Sequence, residues 1–414
     1  MYEIGALRAL DEVLEGVDFN DLESYVGVSG GAVVAACLAN GMTPSQLVRA
    51  IVSKAPDEEA FVPGHFFMPA YGEMVKRLAM MPALAVGSLW EAATRRRAEH
   101  GGMGALLHLA RALPVGLFDN EPIRRFLAHT FSAPGRSDDF RSLRRPLTVV
   151  ATDLDAGVPI RFGAPGLDHV PISRAVQAST ALPGLYPPVR IEGRDCVDGV
   201  LLRTVHASIA LEQGVKLLIC VNPIVPTDLG RALAQGAKGP RALIDHGLPA
   251  VLAQTFRTLI HSRLDVGLRR YATRFPDADI VLIEPTRDEY ALFFSNVFSF
   301  SSRRAVCELA YRSTRRNLLA RRATLEPLLR RHGVRLRTDI LEDESRDLWA
   351  GVGLASDSSA PAITSRLTAA LMRLESETAR RQSPRRPRRP RRPHLTRPRR
   401  GGRATEAGAR RAAR

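Results

Sequence analysis

The pentapeptide Gly27-Val28-Ser29-Gly30-Gly31 limits the folds open to this sequence more than any other stretch, through both its pattern and its position. It matches G-x-S-x-G, follows a short strand-like run, Ser24-Tyr25-Val26-Gly27, and opens an alanine-rich helical stretch from Gly31 to Leu38. A strand that turns sharply into a helix holds the serine in a tight bend. Glycine is therefore expected at the flanking positions, where a Cβ would collide with neighbouring backbone. The same bend aims the amide of Gly30 at a substrate carbonyl oxygen, and the helix N-terminus favours negative charge developing there. A capping serine in a glycine-rich turn and a phosphate-binding loop use similar residues, but neither a Walker lysine nor a G-x-G-x-x-G spacing accompanies this one.

A serine hydroxyl is a weak nucleophile and needs a base within hydrogen-bond reach. In α/β-hydrolases that base is a histidine, and the serine follows several strands of the sheet. Here only 28 residues precede Ser29, room for one helix and one strand.

Ile4, Leu7, Leu10, Val13 and Leu14 recur at helical spacing, which predicts an amphipathic helix at the start. Residues 45–135 read as helix-rich, with Asp119 or Asn120 capping a helix that carries Pro122 in its first turn. Strands are predicted at 147–152, 215–221 and 280–283, with helical patterns between them and again at 303–331 and 361–378. Strands alternating with helices predict an α/β fold around a mostly parallel central sheet.

The net charge of +16 is concentrated at one end. From Arg380 to Arg414 there are fifteen arginines and one acid, Glu406, so +14 lies in this segment and only +2 in the rest. The Pro-Arg repeats from Pro384 to Pro393 can build neither a core nor a helix and predict a disordered tail. Such a tail offers a stiff cation to the phosphates of nucleic acid or an anionic membrane surface, or stays a solvated extension. No apolar stretch reaches the roughly 18 to 20 residues that cross a bilayer. The N-terminus lacks the layout of a secretory signal, so a cytoplasmic protein, peripheral at a membrane surface at most, is expected. Cys37, Cys196, Cys220 and Cys307 sit apart in apolar surroundings, which predicts buried free thiols and no metal site. No cofactor is expected.

Four motifs in order carry a resemblance: Tyr2-Glu3-Ile4-Gly5-Ala6-Leu7, the elbow at 27–31, Ala178-Ser179-Thr180-Ala181-Leu182-Pro183, and Asp198-Gly199. Together, over roughly residues 1–225, they resemble the patatin-like phospholipases. The resemblance implies a three-layer α/β fold. Its acyl hydrolase domain would span 1–225 with a helical insertion at about 45–135, followed by a helical extension over 226–378 and the tail over 379–414. It implies a Ser-Asp dyad acting on lipid or other acyl esters, with Ser29 as nucleophile, Asp198 as base, Gly27, Gly30 and Gly31 shaping the elbow and oxyanion side, and Gly199 beside the base. An aspartate can take this role where burial raises its proton affinity. The family usually has a second glycine after the Asp-Gly pair, where this sequence has Val200. Its members also begin with a strand and a glycine-rich oxyanion loop ahead of the first helix. This sequence opens at Met1 inside that helix, which implies a translation start farther upstream. The alternative is a truncated or inactive relative that binds anionic membrane or nucleic acid through its tail.

Other residues invite a functional reading and are expected to be structural. His206, the histidine nearest to Asp198 along the chain, would complete a triad but reads as a surface or capping residue. Asp153 reads as a turn residue. Phe66, Phe67, Met68, Tyr71, Met74, Met80, Met81 and Trp90 could line an acyl groove or touch a membrane, and are expected to form the packed face of the insertion. Phe293, Phe294, Val297, Phe298 and Phe300 are expected in the core. Gly101-Gly102-Met103-Gly104 is a weak candidate for a substitute oxyanion loop.

Overall fold

The computed structural model describes residues 1–52, 68–94, 111–203, 205–234, 236, 242–289 and 300–354. Phe66, Phe67, residues 101–104, the aromatics from 293 to 298 and the arginine tail lie outside the described residues. All the described residues belong to one compact unit, Met1–Ser356.

Helix α1 (Tyr2–Val13) buries Leu7, Leu10 and Val13 of the predicted stripe, with Ala6 and Ala9 beside them, while Ile4 is half-buried. It ends in a two-residue strand, β1 (Leu14–Glu15), and β2 (Tyr25–Val28) then runs into α2 (Gly30–Ala39). After α3 (Pro44–Val52) come β3 (Met68–Pro69), the long α4 (Tyr71–Thr94), β4 (Phe118–Asp119) and α5 (Glu121–Phe131). Pro122 stands in the first turn of α5, and Asp119 Oδ1 accepts from the Glu121 amide at 2.9 Å.

The central strand is β5 (Leu147–Asp153). Its seven residues are all buried, so both faces of the strand are covered. The chain continues through β6 (Pro159–Phe162), α6 (Ile172–Ser179), β7 (Val189–Ile191) and β8 (Arg194–Asp198). β2 pairs with β5 in parallel, while β6 and β8 pair with β5 antiparallel and β7 pairs with β8 antiparallel. The sheet is therefore not mostly parallel: in this five-stranded sheet only the β2–β5 pairing is. Short connections decide two of these pairings, β5–β6 and β7–β8, because a chain that returns within a few residues can pair only as a hairpin. Between β7 and β8 the turn is Glu192-Gly193, both at positive φ (48° and 81°), the geometry of a tight two-residue hairpin.

Farther along, α7 (Ser208–Glu212) leads to β9 (Leu217–Val221), then α8 (Leu229–Ala234), α9 (Leu248–Arg274) and β10 (Asp279–Ile283), which pairs with β9 in parallel. Helices α10 (Phe300–Ala320) and α11 (Arg322–Arg330), the strand β11 (Arg335–Leu336) and α12 (Thr338–Glu342) follow. The chain end returns to its beginning. β11 pairs with β1, Tyr311 donates to Glu12 at 2.5 Å, and a Cβ on Gly5 would stand 2.1 Å from the Cys307 carbonyl oxygen, so α1 and α10 touch backbone to backbone.

Two expectations about packing divide. The four cysteines are buried and free, as their surroundings predict. Of the bulky residues expected to form the packed face of the insertion, Met68, Tyr71, Met74, Met80 and Met81 are instead exposed. Helical spacing registers apolar side chains and carries no information about what covers them.

Candidate active site

Ser29 occupies the junction of β2 and α2 with φ 54° and ψ −130°, a region that favours glycine and costs a serine about 1–3 kcal/mol. Its amide donates to Ser179 Oγ at 2.9 Å, and Ser179 Oγ donates to the Val150 carbonyl at 2.6 Å. One fully buried hydroxyl at the end of α6 thus ties the bend to the central strand.

Asp198 reaches Ser29 through strand register. Val28 lies opposite Val150 and Asp198 opposite Ala151, so the two strand ends meet at adjacent positions of β5. Since β6 spans Val149–Thr152 along one edge, β2 and β8 share the other edge and converge on it from opposite directions. The Asp198 amide donates to the Ala181 carbonyl at 3.0 Å, and its carbonyl accepts from Thr152 Oγ1 at 3.1 Å. The end of α6 and the residues just after it therefore contact both: Ser179 holds the Ser29 amide and Ala181 holds the Asp198 amide.

The Asp198 side chain is 1% exposed. Oδ1 accepts from the Val200 amide at 2.9 Å, and Oδ2 is buried without a partner of full hydrogen-bond geometry. Burial pushes the carboxyl up from its ordinary 3.8 to about 6, against the opposing pull of the Ser29 hydroxyl and the Val200 amide. A carboxylate so placed takes a proton from a neighbouring hydroxyl at less cost than an exposed one.

The four glycines divide into two kinds. A Cβ on Gly27 would stand 2.5 Å from Ala32 Cα, and one on Gly199 would stand 2.4 Å from the Val150 carbonyl oxygen. Close approach requires glycine at both. At Gly30 and Gly31 the nearest atom to an added Cβ is Glu3 Oε1, at 3.6 and 3.8 Å, so the expected collision with backbone is absent there.

His206 is not a surface residue. It is 3% exposed at φ 43°, its Nε2 donates to the Gly199 carbonyl at 3.3 Å, and burial lowers its pKa to about 4. It stays neutral and pins the turn after Asp198. Asp153 Oδ1 accepts from the amides of Asp155 and Ala156, both at 3.1 Å, as a turn residue does. Ser179, Ala181, Thr152 and Glu3 are the site residues to which sequence reasoning gave no role. Ser179, Ala181 and Glu3 stand in motifs of the resemblance, but a motif does not say which atoms meet. Among the described residues no cluster of His, Cys, Asp and Glu could hold a metal ion.

A family model described as patatin-like phospholipase matches residues 1–211. Among solved structures, VipD from Legionella pneumophila is similar at 15% identity with a TM-score of 0.32, covering 76% of this chain. The chain spans 64% of the VipD chain.

Proposed function

This chain belongs to the patatin-like phospholipase family, a family of lipid hydrolases, and we propose that it hydrolyses lipid acyl esters with Ser29 as nucleophile and Asp198 as its base. The observation that carries the reading is the strand register that brings the buried Asp198 carboxyl to the position on β5 next to the one where the strained strand-to-helix bend holds Ser29.

Ser29 Oγ attacks the ester carbonyl carbon as its proton passes to Asp198. The amide of Gly30 and the N-terminus of α2 receive the oxyanion. The tetrahedral intermediate expels the alcohol, which takes the proton back from Asp198. Water, with Asp198 again as base, then cleaves the acyl-enzyme and releases the fatty acid. No metal or organic cofactor enters these steps.

An alkyl fluorophosphonate should phosphonylate Ser29 alone, with the mass shift mapped to the peptide that contains it. Ser29→Ala should abolish both labelling and hydrolysis of a medium-chain p-nitrophenyl ester. Unchanged turnover in Ser29→Ala, or labelling at another residue, would sink the assignment.

A further inference from the structure

In α4 the apolar residues Tyr71, Met74, Val75, Leu78, Met81 and Val86 are exposed to water. Tyr71, Val75 and Leu78 are each 65–66% exposed, and Met81 is 46% exposed. Leu113 and Leu117 extend this surface. They lie on the stretch beside α4, to which it is tied by Arg77 donating to the Arg111 carbonyl at 3.0 Å and by the Ala70 amide donating to the Leu117 carbonyl at 3.0 Å. An exposed helix face this apolar is stable when something other than water covers it.

The chemistry of this surface points to what that is. From Leu78 to Trp90 no residue is charged. At its N-terminal end Lys76, Arg77 and Arg111 outnumber the acid Glu73, which Arg77 already pairs at 2.6 Å. An uncharged face with cations in excess at its N-terminal end, and the acid Glu91 beyond its far end, complements the surface of an anionic bilayer, acyl tails meeting the face and headgroups the cations. Among the described residues no helix is long and apolar enough to cross a membrane, so α4 suits a position in the plane of the interface. Its methionines adapt to an irregular apolar surrounding.

The surface is joined to the site. The Phe118 amide donates to the Leu185 carbonyl at 2.8 Å, and Gly116 bridges to Gly184. Leu185 lies four residues past Ala181, whose carbonyl holds the Asp198 amide. We propose that α4 and residues 111–117 dock on anionic phospholipid bilayers and bring the Ser29–Asp198 site to the lipid surface. This rests on the lipid-hydrolase reading for its purpose, but its principal test needs no turnover.

Leu78→Cys in the full chain, labelled with an environment-sensitive fluorophore, reports the surroundings of α4 directly, since the four native cysteines are buried. Vesicles of phosphatidylcholine containing phosphatidylglycerol should shift its emission to the blue and raise it about twofold or more, with quenching by nitroxide-labelled lipid. A fluorophore that stays in water while the protein sediments with these vesicles would mean binding through the arginine tail alone and would overturn the proposal. A blue shift that grows with protein concentration without vesicles would mean that a second copy covers α4, and would overturn it as well. In the unlabelled chain, Val75→Glu with Leu78→Glu should slow hydrolysis of vesicle lipid about tenfold or more while leaving a soluble short-chain ester unaffected. Equal loss on both substrates would count against docking. If the parent hydrolyses neither substrate, the functional reading fails and the fluorophore result still decides the docking.

Discussion

Asp198 has two requirements that burial sets against each other: it must accept a proton near neutral pH, and it must carry charge with little water around it. Its proton affinity is raised in the folded state, from 3.8 to about 6. The stability linked to this group is therefore fully present below pH 4 and is lost as pH rises through 6. The shift of about two units corresponds to about 3 kcal/mol. Asp198→Asn should abolish hydrolysis and unfold at higher urea than the parent at pH 8, a gap that closes near pH 4. The parent's kcat/KM should climb through about pH 6. His206 has the opposite sign. Its pKa falls from 6.5 to about 4, so its contribution is present above 6.5 and lost as pH falls through 4. His206→Gln, which keeps a donor for the Gly199 carbonyl, should resist acid better than the parent in the same unfolding assay. Ser179 works through the backbone. Ser179→Ala leaves the Ser29 amide and the Val150 carbonyl without their shared hydroxyl, and kcat on a soluble ester should fall about 10- to 100-fold with KM nearly unchanged.

Two strand ends and a helix start make the site, and glycine permits their approach. α2 can lean on β2 because Gly27 has no side chain where Ala32 comes close. Gly27→Ala should destabilise the fold by about 1–3 kcal/mol as α2 is pushed off the sheet. Gly31→Ala, with only Glu3 Oε1 near, should melt close to the parent temperature. Thermal unfolding of the two variants side by side separates a glycine needed for packing from one that packing leaves free. The hairpins β5–β6 and β7–β8 matter in the same way. By turning back on themselves they bring Asp198 to β5 from the direction opposite to β2.

Across the whole molecule, contacts with residues about three hundred positions away along the chain hold α1 in place. Gly5 rests on the Cys307 carbonyl, Glu12 receives Tyr311, and Arg346 pairs with Glu12 at 3.2 Å. α1 leads through β1 and β2 into the bend, so the position of Ser29 depends in part on helices near the other end of the described chain. Gly5→Ala should lower the urea midpoint while the transition stays single, because α10 and the sheet then unfold together. A separate early transition assigned to residues 300–354 would mean that these helices fold on their own.

Much of the site was legible in the sequence because its signals are local. The helical spacing of Ile4 to Leu14, the alanine-rich start of α2, the apolar run of β5 and the G-x-S-x-G pattern each reside within a few neighbouring residues, and the ordered motifs carried the family. The short strand Val189–Ile191 gave no such signal, and Cys196-Val197 before the Asp198-Gly199 turn suggested only that a strand ends there, so the antiparallel pairing went unread. The tertiary structure alone decided that Val28 and Asp198 arrive at adjacent positions on one edge of β5, that Ser179 clamps the bend, and that α4 is apolar toward water. Each of these depends on strand register, or on what lies beside a side chain in space. Pairing partners and coverings are set between segments far apart in the chain, where hydrophobic periodicity carries no information.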